Sequence, residues 1–162
     1  MNLCLKPLFS IIVISFSVVT AGYSAYAQEQ AEVQVFGDWQ VACGDGEPCR
    51  MSQTVVQTSS RRLILQMRVL KSEEPTALLT FPLGILLSTG WQFQIDARQH
   101  TLLPFEICNT EGCHAGVRLT PNLLSAMKRG NNLSIKFLDA SETTVNPVIS
   151  LAGFTKAYEA LQ

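Results

Sequence analysis

The chain has 162 residues, with 12 lysines and arginines against 13 aspartates and glutamates, and its formal net charge at pH 7 is -1. This balance gives no electrostatic reason to expect a nucleic acid or an anionic membrane as a partner. A hydrophobic fraction of 47% excludes intrinsic disorder, and the length excludes a β/α-barrel enzyme of roughly 250 residues.

Residues 1–27 have the three parts of a secretory signal peptide. A short basic start precedes an apolar stretch from Leu8 to Ala21, and a small-x-small triplet ends at Ala27. We expect cleavage between Ala27 and Gln28, a single domain over 28–162, and no membrane span after cleavage. The alternative is an uncleaved anchor helix, but an apolar stretch of about 14 residues is shorter than the ~20 that span a bilayer.

The rest of the chain alternates apolar and polar residues with a period of two. This alternation is typical of antiparallel strands with one face in the core and one in water. The runs recur at short intervals between turn residues, which favours a single mainly β domain, an antiparallel sandwich or barrel-like fold, over βαβ units. The apolar members of these predicted strands are Trp39, Val41 and Cys43; Leu63, Leu65, Met67 and Val69; Trp91, Phe93, Ile95 and Ala97; Leu103, Phe105 and Ile107; Val117 and Leu119; and Leu133, Ile135 and Phe137.

The cysteines fall into two local pairs once Cys4 leaves with the signal peptide. The intervals between Cys43 and Cys49 and between Cys108 and Cys113 are rich in turn residues. A chain that turns back over so short an interval can bring two Cα atoms to about 5.5 Å, so we expect one disulfide within each pair. Two alternatives stay open: a zinc site that includes the histidine after the last cysteine, and a redox dithiol. Zinc knuckles favour shorter spacings, and the chain has no Cys-x-x-Cys.

An almost wholly apolar segment runs from Phe81 to Leu87 and contains a proline and a glycine, which interrupt a regular central strand. One interpretation is a bent strand or arch whose side chains fill the core. The other is an interaction rim of Leu83, Ile85 and Leu86, exposed to a partner protein, an apolar ligand or an outer-membrane surface. The rim hypothesis fails if these three side chains are shielded from solvent within the monomer.

Few side chains offer catalytic chemistry. The chain has two histidines, His100 and His114; neither lies in a hydrolase or metalloprotease motif, and we expect both in loops. Arg61 and Arg62 precede a predicted strand, where they are interpreted as a solvated edge that discourages sheet-to-sheet aggregation, with a small anion site as the alternative. We therefore predict no catalytic, cofactor-binding or metal-binding residue.

Two segments depart from the β pattern. Thr120 as N-cap, Pro121 at the first position and Gly130 as the stop predict a short helix that connects two strands. The stretch from Phe154 to Leu161 predicts a short C-terminal helix that covers an open end of the sandwich. Its apolar side consists of Phe154, Ala157, Tyr158 and Leu161.

Several short motifs follow one another in a characteristic order between about Phe36 and Leu161. They are Phe36-Gly37-Asp38-Trp39-Gln40-Val41-Ala42-Cys43, Cys49-Arg50-Met51-Ser52-Gln53, Pro82-Leu83-Gly84-Ile85-Leu86-Leu87, Gly90, Ile95-Asp96, Pro104-Phe105 with Cys108, Gly112-Cys113-His114-Ala115, Met127-Lys128-Arg129-Gly130 and Ser150-Leu151-Ala152-Gly153-Phe154. This ordered set resembles the invasion-associated locus B family of bacterial exported proteins. The resemblance implies a small β domain, periplasmic or secreted, without an established catalytic activity, and it supplies no catalytic or ligand residue.

These observations lead us to expect a non-enzymatic exported protein that acts through contacts with an envelope or host protein. We expect it in the periplasm, with secretion or association with the outer membrane as alternatives, and without a cofactor. A second hypothesis, a periplasmic binding module for a small apolar or peptide ligand, requires a closed apolar pocket. A third, a thiol or hydrolytic enzyme, requires His114 beside an acid and a nucleophile.

Overall fold

Residues 32–44, 47–96 and 101–161 are described by a computed structural model of the chain, and they form two antiparallel β-sheets and two short α-helices. The expected cleavage site at Ala27 and Gln28, together with Cys4 and His100, lies outside these residues, so these expectations stay predictions. The strands are β1 (Glu32–Phe36), β2 (Trp39–Gly44), β3 (Glu47–Val56), β4 (Leu63–Leu70), β5 (Thr76–Phe81), β6 (Trp91–Ile95), β7 (Thr101–Leu103), β8 (Ile107–Asn109), β9 (Gly112–Arg118), β10 (Asn132–Leu138), β11 (Thr144–Val145) and β12 (Val148–Ser150). The helices are α1 (Pro121–Arg129) and α2 (Phe154–Ala160), and a short 3-10 turn spans Leu87–Thr89.

The first sheet has seven strands in the order β1-β2-β3-β4-β5-β9-β8. The second has five: β11-β10-β6-β7, with β12 also paired to β10. The inner faces of both sheets contribute to one hydrophobic core, and no pairing among the described strands joins the sheets into a closed barrel. The structure therefore confirms the predicted mainly β antiparallel fold, with a short connecting helix and a short C-terminal helix.

Aromatic side chains fill the core where β5 ends. The ring of Phe81, the last residue of β5, is fully buried, and its centroid lies 5.4 Å from that of Trp91, 5.0 Å from Phe105 and 5.2 Å from Phe137. Tilted and edge-on ring contacts of this kind stabilise a core beyond the burial of apolar area. Because Phe81 directly precedes the segment that crosses between the sheets, this cluster supports the base of that segment.

The prediction that Leu103, Phe105 and Ile107 share one strand face is wrong. β7 ends at Leu103, and the carbonyl of Pro104 accepts a hydrogen bond of 3.0 Å from the indole Nε1 of Trp91. Proline cannot donate to a ladder, so the chain leaves the second sheet here and resumes in the first sheet as β8. Ile107, at the start of β8, is consequently 64% exposed.

Helix α1 begins as predicted but ends for a different reason. The Thr120 hydroxyl accepts the backbone N–H of Leu123 at 3.3 Å, which is the expected N-cap. Gly130 follows the last helical residue with a φ of -80°, so the left-handed conformation that usually requires glycine is absent. A Cβ at this position would lie 2.7 Å from Ile95 and 3.0 Å from Leu151, so glycine is needed here for close packing.

Helix α2 buries the apolar side that the sequence predicted, because Phe154, Ala157 and Tyr158 are all buried, as is Leu161 just beyond the helix. The ring of Phe154 stands edge-on to Trp39, with 5.2 Å between centroids. The helix packs against β1, β2 and α1, so it covers one end of the first sheet.

The motifs near the two ends of the chain meet in space through Gln53. Its amide Nε2 donates to the carbonyls of Asp38 at 3.1 Å and Ser150 at 3.0 Å, and its Oε1 accepts the N–H of Ser150 at 2.8 Å. The indole of Trp39 donates to the same Ser150 carbonyl at 2.9 Å. One glutamine side chain therefore connects β3 of the first sheet to β12 of the second.

Two glycines allow the backbones at this junction to touch. Gly37 and Gly153 have φ values of 59° and 86°, and the N–H of Asp38 donates to the carbonyl of Ala152 at 3.2 Å. A Cβ on Gly153 would overlap the carbonyl of Phe36, and one on Gly37 would overlap that of Ala152. We call Gly37, Trp39, Gln53, Ser150 and Gly153 the clasp, because they hold the first hairpin against the chain segment before α2.

Candidate functional site

The four described cysteines form the two predicted disulfides. Cys43 and Cys49 are joined across β2 and β3 with an S–S distance of 2.05 Å, and Cys108 and Cys113 across β8 and β9 with 2.09 Å. In this state no described thiol is free, so the zinc and redox-dithiol alternatives have no thiolate to use. Each disulfide joins the two strands of its own hairpin.

His114 does not lie in a loop as predicted; it belongs to β9 and is 8% exposed. Its Nδ1 lies 3.1 Å from the hydroxyl of Thr80, and its Nε2 lies 3.1 Å from the side-chain Oδ1 of Asn109. That oxygen also accepts the N–H groups of Glu111 and Gly112, so the hydrogen between Asn109 and the ring belongs to Nε2. Both ring nitrogens are therefore used by neutral partners, the Thr80 hydroxyl at Nδ1 and the Asn109 amide oxygen at Nε2, to hold the β8–β9 hairpin.

Arg61 and Arg62 do not precede an outer strand, because β4 lies between β3 and β5 in the seven-stranded sheet. They close the loop between β3 and β4: the N–H of Gln57 donates to the carbonyl of Arg62 at 2.9 Å, and the N–H of Arg61 donates to the carbonyl of Gln57 at 2.8 Å. Both arginines are exposed. The two side chains are solvated as predicted, but the prediction of an outer strand is wrong, because strand order cannot be read from local sequence.

The apolar segment after β5 forms an arch from the first sheet to the second. The carbonyl of Gly84 accepts the N–H of Ala140 at 2.8 Å, and the N–H of Leu86 donates to the carbonyl of Leu138 at 2.9 Å. The arch therefore extends the second sheet beside the end of β10. We use the name arch for residues 82–86.

The three predicted rim residues have different environments within the arch. Leu83 is 57% exposed, whereas Ile85 and Leu86 are half-buried, and Ile85 packs against the core. Both sequence interpretations thus describe part of the segment, since it anchors one side chain inward and presents another outward. The role of Leu83, Ile85 and Leu86 as an interaction rim stays a prediction.

A groove of about 380 Å³ lies between the start of β4, the arch and the β10–β11 hairpin. Its apolar lining includes Leu63, Ile64, Leu83, Ile85, Phe137 and Val145. Gln57, Arg62 and Asp139 provide its polar side chains. We call this feature the arch groove.

The two charged side chains of the arch groove are differently engaged. The Oδ1 atom of Asp139 accepts the N–H groups of Ser141 at 2.8 Å and Thr143 at 2.9 Å, so this carboxylate caps its own hairpin. Within the part of the chain that the structure describes, no acid forms an ion pair with Arg62. The groove consequently offers an apolar surface beside one available positive charge.

The arch groove combines residues that the sequence had suggested separately. Arg62 and the rim residues were identified from local patterns, but nothing in the sequence placed them together. Asp139 and Val145 were missed, because their contribution depends on a hairpin that returns to the arch from more than fifty residues away. The Asp139-Ala140-Ser141 turn signal after a predicted strand could have indicated a loop, but not its neighbour.

The interior of the sandwich offers no comparable site. A void of about 20 Å³ between the sheets and α1 is lined by apolar residues, among them Met67, Trp91, Met127 and Ile135. A void of this size holds at most one water molecule, whereas ligand pockets usually measure about 300 Å³ or more. This void is therefore too small to be the closed apolar pocket that the binding-module hypothesis requires.

Within residues 32–44, 47–96 and 101–161, no helix combines the length and hydropathy needed to cross a bilayer. The same residues contain no group of three or more histidine, cysteine, aspartate or glutamate side chains arranged to hold a metal ion.

Known proteins provide an independent view of the fold. The crystal structure of invasion associated protein B from Bartonella henselae is similar with a TM-score of 0.72 and 24% sequence identity, covering 80% of this chain and 94% of that one. At this identity the similarity shows a shared fold. No curated protein sequence matches the chain. The family model described as Invasion associated locus B (IalB) protein matches residues 39–162, which confirms the resemblance inferred from the motifs, and the chain belongs to the invasion associated locus B family.

Proposed function

We propose that this protein is exported and acts without catalysing a reaction, through contacts between the arch groove and another protein in the cell envelope or during host-cell invasion. The observation that carries the proposal is Leu83, which is 57% exposed at the rim of an apolar groove beside the available charge of Arg62. Large apolar side chains grouped at an open groove are typical of surfaces that contact partners. Membership of a family named for invasion is in keeping with such a role.

Export is supported by two features. The three-part pattern of residues 1–27 is that of a secretory signal peptide. The two disulfides fit an oxidising compartment such as the periplasm or the exterior, because cytosolic thiols are kept reduced. We propose the periplasm as the main location, with release or association with the outer membrane as alternatives.

The absence of catalysis is supported by the state of the chemically active side chains. His114 is buried with both ring nitrogens bonded to neutral groups, and it has no acidic partner in the described structure. The four described cysteines are held in disulfides. A hydrolase or thiol enzyme needs a base oriented towards a nucleophile or a reactive thiolate.

Site-specific photo-crosslinking in the protein's own host tests the proposal. A photoreactive amino acid replaces Leu83 in one strain and Leu70 in another; Leu70 is a matched control because it is 41% exposed at the other end of β4. We expect a discrete protein adduct from position 83 and none from position 70, since partner contacts are confined to the arch end. Equal adducts from both positions, or none from position 83, would refute the proposed surface.

A further inference from the structure

The hydrogen-bonded ladder between β4 and β5 does not reach the first residues of β4. Its last pair towards the arch is Gln66 with Thr80, and continuing the register would place Pro82 opposite Ile64. Proline has no N–H to donate. The backbone of the arch instead bonds to Leu138 and Ala140 in the second sheet. The first residues of β4 therefore border the groove without a neighbouring strand on that side.

Peptide geometry shows which backbone groups face this gap. The N–H of Leu119, directly after β9, donates to the carbonyl of Pro75, so Pro75 faces β9. Successive residues of a strand bond to opposite neighbours, so Thr76, Leu78 and Thr80 bond towards β4. Their partners Leu70, Arg68 and Gln66 therefore face β5. Leu65, one residue away, bonds towards β3.

The carbonyl of one residue and the N–H of the next point in opposite directions in a trans peptide. The N–H of Leu65 points towards β3, so the carbonyl of Ile64 points into the gap. The carbonyl of Arg62 is bonded to Gln57 on the β3 side, so the N–H of Leu63 also points into the gap. One backbone donor and one backbone acceptor thus line the groove next to each other.

We propose that the arch groove binds an extended acidic and apolar peptide segment of a partner protein by short strand addition to the start of β4. The segment donates an N–H to the carbonyl of Ile64 and accepts the N–H of Leu63. Its carboxylate pairs with Arg62, and a neighbouring apolar side chain packs on Leu83 and Ile85. This inference rests on the proposed function and names the kind of segment that the groove takes.

The choice of a peptide follows from the combination of groups in the groove. A peptide strand satisfies a backbone donor and acceptor at once, as in other cases of strand addition. The charge of Arg62 favours an acidic segment, because the carboxylate of Asp139 is already bonded to its own hairpin. An anionic lipid would satisfy Arg62 but would supply no N–H for the Ile64 carbonyl.

Selection from a random octapeptide library displayed on phage tests this inference. The target is the protein expressed with its export segment and purified with both disulfides formed. We expect enriched peptides to carry an aspartate or glutamate within two residues of a β-branched or aromatic side chain. Arg62→Glu should weaken their binding by about tenfold or more, whereas Arg61→Glu, an exposed neighbour outside the groove lining, should leave it within about twofold.

Two measurements on the enriched peptides test the strand pairing itself. Methylation of single backbone nitrogens should abolish binding at the nitrogen that donates to Ile64 and be tolerated at the next one, because alternate amides point outwards. The amide hydrogen of Leu63 should exchange about tenfold more slowly when the peptide is bound. Circular dichroism spectra and melting curves of both arginine variants verify that they remain folded.

Four outcomes would overturn the inference: no enrichment, enrichment without acidic residues, equal losses in the two arginine variants, or tolerance of every methylated nitrogen. Arg62-dependent binding to phosphatidylglycerol vesicles without peptide enrichment would assign the groove to lipid instead. If the library fails while position 83 still yields a protein adduct in cells, the partner surface stands and strand addition is wrong. If neither experiment gives a signal, the proposed function fails as well.

Discussion

Gln53 joins the two sheets through three side-chain hydrogen bonds, so it should contribute to stability more than its position on a strand suggests. Gln53→Ala leaves the carbonyl of Asp38 and the backbone N–H and carbonyl of Ser150 without this partner. We expect a loss of about 1–3 kcal/mol in the free energy of unfolding, measured in urea. Gln66→Ala is the control, because Gln66 bonds only to the exposed Thr54 hydroxyl and its loss should cost less than about 0.5 kcal/mol. Equal losses would contradict the bridging role of Gln53.

A comparison of Gly84 with Gly153 separates the free-energy cost of backbone strain from the cost of steric overlap. Their φ values are nearly the same, 83° and 86°, but a Cβ meets nothing within 4 Å at Gly84 and overlaps the carbonyl of Phe36 at Gly153. Gly84→Ala should therefore cost about 1 kcal/mol for the left-handed conformation alone. Gly153→Ala should cost at least about 2 kcal/mol more, because the clasp has to open. Thermal unfolding of both variants checks this, and similar melting temperatures would argue against close contact at the clasp.

Individual residues show what local sequence can and cannot predict. The disulfide partners were predictable because each pair lies within one hairpin, where the chain turns back on itself. The contacts of Gln53 were not, because its partner Ser150 is 97 positions away and any glutamine on a strand looks alike in sequence. The requirement for Gly130 was misassigned for the same reason, since the side chains that leave no room for a Cβ come from other elements.

At the scale of elements, one side-chain amide oxygen makes three hydrogen bonds within the β8–β9 hairpin. The Oδ1 of Asn109 accepts the N–H groups of Glu111 and Gly112 and the Nε2–H of His114. Asn109→Ala should therefore increase amide hydrogen exchange throughout β8 and β9 while the Cys108–Cys113 disulfide keeps the hairpin joined. Asn132→Ala is the control, because only the backbone N–H of Asn132, which the substitution keeps, donates to Asp96; its side-chain amide forms no hydrogen bond among the described residues. Exchange that rises equally in both variants would show that Asn109 does not organise this hairpin.

Elements were predictable wherever local chemistry decides them. The alternating strands and the capped α1 appear because burial of one face and satisfaction of the first helical N–H groups are local requirements. The prediction of one strand across Leu103–Ile107 was wrong because the alternation of apolar and polar residues continues through Pro104, where the chain passes from one sheet to the other. The arch groove could not be predicted, since it forms where three elements distant in sequence meet, although its most exposed residue, Leu83, could be identified.

At the scale of the whole molecule, export should remove the N-terminal segment and leave both disulfides formed. Protein purified from its host envelope should begin at Gln28 and weigh four hydrogen atoms less than the reduced chain, because two disulfides have formed. Intact mass and non-reducing peptide mapping measure both quantities. A retained N-terminus would restore the membrane-anchor alternative, and free thiols or bound zinc would reopen the redox and metal alternatives.

The central claim is that the arch groove is where this protein meets its partner. The most direct test measures the yield of the adduct from a photoreactive amino acid at position 83 in the protein's own host, in three backgrounds: unchanged, Arg62→Glu and Arg61→Glu. We predict that Arg62→Glu lowers the yield by about tenfold and that Arg61→Glu leaves it nearly unchanged, because only the first side chain lines the groove. An adduct whose yield is the same in all three backgrounds would contradict the claim.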